Sequence, residues 1–252
     1  MLDESDSKGS NNSIFDHSSI NKTEWCLYDK LLFEKEVLGF CVSGHIMDVY
    51  KQELKSLKTI PLASLDKKIN VSKKPKIALL AGVVDSVRKV KSRKGNWFNI
   101  LTLDDGKSKY ELLLFDDALP DEPLKPDTVV ILEVQITWDS FKDRSRIRTV
   151  LIQPIEEYRL HNLKNIRFHI TDKNNLDQLE RLKQLLDKME KGKAQISFSV
   201  ISDGIKGILR ANRDANRDVN EGVSSSSINV SEQFLRDLYR IFDADIYELS
   251  YI

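Results

Sequence analysis

The sequence predicts a mixed fold in three parts: a short helical connector, a five-stranded β-barrel and a small α+β domain. Three patterns predict it. Apolar residues recur at helical spacing up to Leu57, β-branched runs separated by turn residues fill the stretch from Ile77 to Pro154, and strand and helix rhythms alternate after Glu157. The 252 residues suffice for about two small domains. An apolar content of 40% supports real cores, while 31% charged residues speak against a membrane protein. The 39 basic and 39 acidic residues cancel, so only their distribution can point to a partner. An acidic, polar start without an apolar h-region or an arginine-rich transit pattern predicts a cytoplasmic protein. Cys26 and Cys41 form no CxxC, and His17, His45, His161 and His169 are scattered, so neither a disulfide framework nor a zinc site is expected.

Residues 1–22 are rich in Ser, Asn and Asp with one apolar pair, Ile14-Phe15, and predict a disordered arm. Within 23–57, Leu27, Leu31, Val37, Leu38, Val49, Tyr50, Leu54 and Leu57 keep helical spacing, broken by Gly39 and Ser43-Gly44, which predicts two or three short helices. Residues 58–75, with Pro61, Pro75 and lysines 67, 68, 73 and 74, predict a linker. Strands follow in 76–158 at 77–90, 97–103, 110–115, 129–137 and 147–152, with turns at Lys94-Gly95-Asn96 and Asp104-Asp105-Gly106. The longest gap, 116–127, holds Pro120, Pro123 and Pro126 after the third strand. That plan is the OB-fold layout. In 159–252 the pattern predicts strands at 166–170, 195–201, 205–209 and 245–249, a turn at Asp203-Gly204, and helices at 176–189 and 231–242. The first helix carries Leu176, Leu179, Leu182, Leu186 and Met189 on one stripe. The ANRD-ANRD duplication at 211–218 and the serines at 224–227 predict an exposed insertion.

No catalytic constellation emerges. The candidate carboxylate pairs for holding two metals, Asp104-Asp105 and Asp116-Asp117, sit at strand ends or turns, where Asp bonds its own backbone. Neither GxGxxG nor GxxxxGK[ST] occurs. No catalytic residue, metal or cofactor is therefore expected in this chain. His45, at a helix boundary, reads as a cap or packing residue rather than a ligand. The charge distribution says more. Arg88, Lys89, Lys91, Arg93 and Lys94 occupy the first hairpin without an intervening acid, and Lys142, Arg144, Arg146 and Arg148 occupy the fourth with only Asp143 opposing. In an OB barrel those loops flank the binding face, and Trp97, Phe98, Trp138 and Phe141 stand beside them to stack bases. The acids gather elsewhere, eight of them against three lysines between Asp104 and Asp127. The expected nucleic-acid-binding residues are Arg88, Lys89, Lys91, Arg93, Lys94, Trp97, Phe98, Phe141, Lys142, Arg144 and Arg146. The competing reading is that lysine-rich hairpin tips only keep strand edges soluble. Trp97 and Phe98 are also strand neighbours, so at least one faces inward.

The string Glu34 to His45, EKEVLGFCVSGH, closely resembles the EKE-x-LGFYLSGHP signature that precedes the OB domain in the alpha subunit of bacterial DNA polymerase III. The similarity continues through Leu80–Val84 with Val87-Arg88, Lys94–Asn96, Thr102–Asp105, Glu111–Phe115, Trp138–Phe141 and Asn229–Tyr251, covering about residues 25–252 apart from the insertion. The resemblance implies the C-terminal portion of that DNA-directed DNA polymerase, a nucleotidyltransferase of DNA replication. It implies an OB domain at 76–158 for single-stranded template DNA and a domain at 159–252 of the type that binds the clamp loader's tau subunit. Family members carry a clamp-binding peptide, Gln-x-x-Leu-Phe, in a flexible stretch upstream. Here Asn11-Asn12-Ser13-Ile14-Phe15 stands in its place, so Ile14 and Phe15 are the expected clamp contacts, with sliding-clamp binding weakened by the shorter Asn11. Other departures are Ile46 for Pro, Val134 for Gly, Trp97 where relatives carry a basic or thioether side chain, and the loss of Gly-x-x-Trp-x-Val near the end, which puts tau binding in question. The family's catalytic aspartates lie in regions that would precede residue 1. The chain is therefore expected to be inactive alone; whether it meets a separately encoded polymerase core is left open by the sequence. Two other readings stay open at this point: an RNA-binding OB module of a tRNA-related protein, and a truncated fragment without function.

Overall fold

The computed structural model describes residues 25–65, 75–93, 95–115, 120, 122–139, 141, 144–172, 174–202, 205–210, 227–242 and 246–251. Ile14, Phe15, Lys94, Lys142, the Asp116-Asp117 pair, the Asp203-Gly204 turn and the ANRD duplication lie outside the described residues.

Three helices open the chain: α1 (Leu27–Leu38), α2 (Ile46–Val49) and α3 (Lys51–Leu57). Gly39 closes α1 at φ 81°, a conformation that favours glycine, and its N–H donates to the Lys35 carbonyl. Glu34 then folds the next loop back. Its carboxylate accepts from the N–H groups of Val42 at 2.7 Å and Ser43 at 2.8 Å, and from the Ser43 hydroxyl. His45 caps α2: its Nδ1 accepts from the Met47 N–H at 3.2 Å, while Asp48 accepts from the His45 N–H at 2.8 Å. The string from Glu34 to His45 is thus a self-bonded turn, and His45 has the capping role expected of it.

Five antiparallel strands follow, β1 (Lys76–Lys91), β2 (Trp97–Asp104), β3 (Lys109–Leu114), β4 (Val129–Asp139) and β5 (Arg144–Pro154), in the order β3-β2-β1-β4-β5. The first half of β1 pairs with β4 and the second half with β2, with a bulge between Val84 and Ser86 that lets one strand serve both. β3 also lies against β5, which gives the sheet its barrel-like curl, although no ladder closes that seam among the described residues. Leu80, Val84, Leu101, Leu103, Leu114 and Leu132 fill the interior.

The linker expected at 58–75 is corrected in its first part. The Ile60 N–H donates to the Leu79 carbonyl at 2.8 Å, and a 3-10 turn at Leu62–Ser64 places Leu62 and Leu65 in the barrel core, 0% and 2% exposed. Pro61 and the later lysines gave the segment a linker's composition, yet the Leu62, Leu65 pair makes it a plug. A fourth helix, α4 (Ile155–Asn162), not predicted from the sequence, starts at Pro154 with Glu156 and Glu157 in its first turn, where acids suit the helix dipole.

The rest of the chain builds β6 (Leu163–Thr171), α5 (Leu176–Asp187), β7 (Lys191–Ser202), β8 (Ile205–Arg210), β9 (Ser227–Ile228), α6 (Glu232–Ile241) and β10 (Tyr247–Tyr251). The sheet runs β10-β6-β7-β8 with β9 against β7, and β6 and β7 are parallel, joined through α5. Ile166, Phe168 and Ile196 of the sheet pack with Leu182 of α5 and with Phe234 and Leu238 of α6. The α5 stripe is shifted from the one expected: Leu176, beside the cap residue Asn175, is 79% exposed, and Leu182, Leu185, Leu186 and Met189 face the core. Among the described residues no helix is long and apolar enough to cross a membrane.

The parts meet at Arg159 of α4. Its guanidinium, fully buried, donates to both carboxylate oxygens of Glu53 on α3 at 2.9 and 2.8 Å, and to Glu232 on α6 at 3.2 Å. Tyr50 donates to Glu232 at 3.0 Å, and Tyr251 of β10 donates to Glu53. Burial works against the guanidinium's charge, yet Glu53 and Glu232 outweigh it and raise the pKa of Arg159.

Candidate nucleic-acid interface

The β1 bulge decides which basic side chains share a face. Beyond it, Val87 stands opposite Leu101, Lys89 opposite Asn99 and Lys91 opposite Trp97. Leu101 and Leu103 lie in the core, so Trp97 continues their row past the end of the core, where it is 53% exposed. The ammonium groups of Lys89 and Lys91 each sit 5.6 Å from the Trp97 ring centroid. The hairpin end is an open indole lip flanked by two cations.

The opposite face carries Arg88, Phe98 and Ile100, followed by Leu113 on β3, which pairs with Ile100. Leu113 and the next residue in the alternation, Phe115, are exposed. The sequence reading had selected Phe98 but missed Ile100, Leu113 and Phe115, although strict alternation along β2 and β3 marks them as one strip. Arg88 is already engaged, with Nη2 2.5 Å from Glu111, and Lys109 beside it lies 2.7 Å from Asp85. Both pairs are exposed. Such a bridge is worth about 0–1 kcal/mol, so an incoming phosphate can take over Arg88 at small cost.

The second cluster lies on the β4–β5 hairpin. Arg146 stands opposite Thr137 and Arg148 opposite Gln135, while the Arg144 backbone pairs with Asp139. Phe141 is 95% exposed at the tip, its N–H donating to Asp139 at 3.1 Å. Lys91 and Trp97 mark one end of β1; Lys76 pairs with Ile136 at the other, and β4 runs on from there to Asp139. The two clusters therefore lie at opposite ends of β1 in register. Its 16 residues make about 50 Å along the strand, which only the curl of the sheet shortens.

The carboxylates of the β2–β3 turn are committed to the backbone. Asp104 accepts from the Gly106 N–H at 2.8 Å; Asp105 accepts from Leu62 at 3.0 Å, Lys107 at 2.9 Å and Ser108 at 2.8 Å. Among the described residues no group of three or more His, Cys, Asp or Glu is placed to hold a metal ion. Burial raises the Asp105 pKa, but the N–H donors of Lys107, Leu62 and Ser108 outweigh it and hold the carboxyl below its usual value. A depressed carboxylate adds stability that is present above the unfolded-state pKa of about 3.9 and lost as pH falls through the folded-state value. Asp105→Ala should cost about 1–3 kcal/mol at neutral pH, and much less in acid. Urea midpoints at several pH values check this; equal losses at pH 7 and in acid would remove Asp105 from the acid response.

No family model matches the chain. It is similar to DNA polymerase III subunit alpha of Escherichia coli K12, 29% identical over 162 residues, which are 63% of this chain and 14% of that relative. The same subunit of Pseudomonas fluorescens is 27% identical over 190 residues, 74% of this chain and 16% of the relative. That of Borreliella burgdorferi is 28% identical over 171 residues, 65% and 14%. The chain thus spans 14–16% of the length of these relatives. The resemblance that begins at Glu34 is borne out, and the small share is consistent with a C-terminal portion.

Proposed function

We propose that this chain, a C-terminal portion of a replicative DNA polymerase III alpha subunit, holds single-stranded template DNA and tethers the polymerase to its sliding clamp and clamp loader. The observation that carries the DNA reading is the Trp97 indole flanked by Lys89 and Lys91 at the open end of a curled five-stranded sheet of OB type. A base stacks on the indole and the two ammonium groups neutralise adjoining phosphates, while Arg88, paired with Glu111 on the opposite face, stands outside this contact. The mechanism is positioning, since a tether raises the local concentration of polymerase at the primer end without new chemistry. Ile14 and Phe15 serve the clamp, and the last domain serves the loader's tau subunit. Polymerisation itself belongs to the regions that carry the family's catalytic aspartates. The exposed Trp25, Phe33, Val37, Phe40 and Val42 on and around α1 support a protein partner there.

The test is fluorescence anisotropy of the whole chain with labelled oligo(dT) across a salt series. Lys89→Gln and Lys91→Gln should each lower the slope of log affinity against log salt by about 0.7. Trp97→Ala should weaken binding by about 1–3 kcal/mol with the slope unchanged. Affinity independent of salt, or a Trp97→Ala variant that binds like the parent, would overturn the assignment.

A further inference from the structure

The second sheet holds its helices on one face, and its other face has a different chemistry. In parallel register, Asn165, Arg167 and His169 of β6 lie beside Gln195, Ser197 and Ser199 of β7. Asn165, Arg167, Gln195 and Ser197 of this face form the floor of a groove of about 700 Å³ that Lys164, Lys193 and His161 also line. Its lining contains the cations Arg167, Lys164 and Lys193 but no carboxylate. Glu248, the nearest acid on the adjoining strand β10, approaches Arg167 only to 4.0 Å and His169 to 3.8 Å.

The floor is polar yet withdrawn from water. Ser197 and Ser199 are 5% and 0% exposed. Asn165 donates to the Ser197 hydroxyl at 3.0 Å, whereas the Ser199 hydroxyl and the Arg167 Nε are buried without a hydrogen-bond partner among the described residues. A buried donor left unpaired costs about 1–3 kcal/mol, so the Arg167 Nε, in a groove that Lys164 and Lys193 also line, calls for an acceptor from outside. Glu248 engages Arg167 through Nη1 at 4.0 Å and leaves its Nε unpaired, and the guanidinium, ammonium and hydroxyl donors together suit a tetrahedral oxyanion better than a planar carboxylate, which offers fewer acceptor directions.

We infer that the groove on the open face of the β10-β6-β7-β8 sheet is a phosphate-binding site, with Arg167 and Lys193 supplying charge and the Ser197 hydroxyl supplying a donor. Two sources carry that chemistry, a free phosphate compound and the backbone of a nucleic-acid strand. The site stands apart from the Trp97 lip, so the two readings can fail separately.

Isothermal titration of the whole chain with inorganic pyrophosphate at low salt is the primary measurement. Binding should be detectable below about 10 mM, and Lys193→Gln and Arg167→Gln should each weaken it about five- to tenfold, the share of one charge-assisted hydrogen bond. Lys193 is exposed, so its variant keeps the test open if Arg167→Gln misfolds. Gln195→Ala, at an exposed position of the lining, should weaken binding with an unchanged urea midpoint, and Trp97→Ala should leave it intact. If oligo(dT) competes with pyrophosphate and loses affinity in the Lys193→Gln variant, the source is a strand; if only pyrophosphate binding falls, it is a free phosphate compound. Absence of pyrophosphate binding, indifference to both charge variants, or tighter binding of poly-glutamate through the same residues would overturn the site.

Discussion

Arg159→Ala is expected to destabilise the chain by about 3–5 kcal/mol, the cost of leaving buried carboxylates without their counter-charge. Glu53 and Glu232 come from different helices and meet at this guanidinium, while Tyr50 donates to Glu232 and Tyr251 to Glu53. Removing the cation leaves two acids side by side in a poorly solvated site. Arg159→Met fills most of the volume but keeps the unpaired charges, so it should rescue little. Changing Arg159, Glu53 and Glu232 together to apolar residues of similar size should recover most of the loss, because buried ion pairs often gain little net stability over well-packed apolar groups. Equilibrium urea unfolding followed by tryptophan fluorescence and by far-UV circular dichroism makes the comparison. The parent should show coincident transitions, and Arg159→Ala should separate them, since α3, α4 and α6 lose their common anchor. A loss under about 1 kcal/mol would mean that water reaches the site and the charges are not confined.

Leu62→Ala should cost about 2–5 kcal/mol, the range for a fully buried leucine whose removal leaves a cavity. A leucine in a linker would cost less than about 0.5 kcal/mol, so a single variant separates the two readings of this segment. The Leu62 N–H also donates to Asp105, which ties the plug to the β2–β3 turn. Leu62→Ala combined with Asp105→Ala should therefore be non-additive, the double variant losing less than the sum. Additive losses would show that plug and turn are held independently.

Much of the barrel was legible because β-branched runs and turn residues agree on where each strand starts and stops, and four of the five strands begin within a residue or two of the expected positions. Trp97, Lys89 and Lys91 were legible as candidates from composition alone. Their convergence was not, since the bulge at Val84/Ser86 swaps the faces of everything after it and leaves no mark in the sequence. That swap puts Lys89 beside Trp97 and sends Arg88 to Glu111. The plug was hidden because Pro61 and the following lysines suggest a loop, while only tertiary packing shows that Leu62 is inside. Arg159 is the extreme case. It is an ordinary arginine in a short helix whose partners lie 106 and 73 positions away, and no local pattern encodes such a meeting. On the second sheet the alternation of Ser197 and Ser199 is visible in the string, but the parallel register that sets them beside Arg167 and His169 is not.

A tether also works as a mechanical part. α3 packs against the last strand, β10, and Glu53 on the former accepts from Tyr251 on the latter. Force applied between the first helices and the end of the chain would be transmitted through this joint and Arg159 rather than along the strands of the barrel. The barrel then hangs beside the load path as a side branch, and the Trp97 lip keeps its shape while the anchors on either side are pulled.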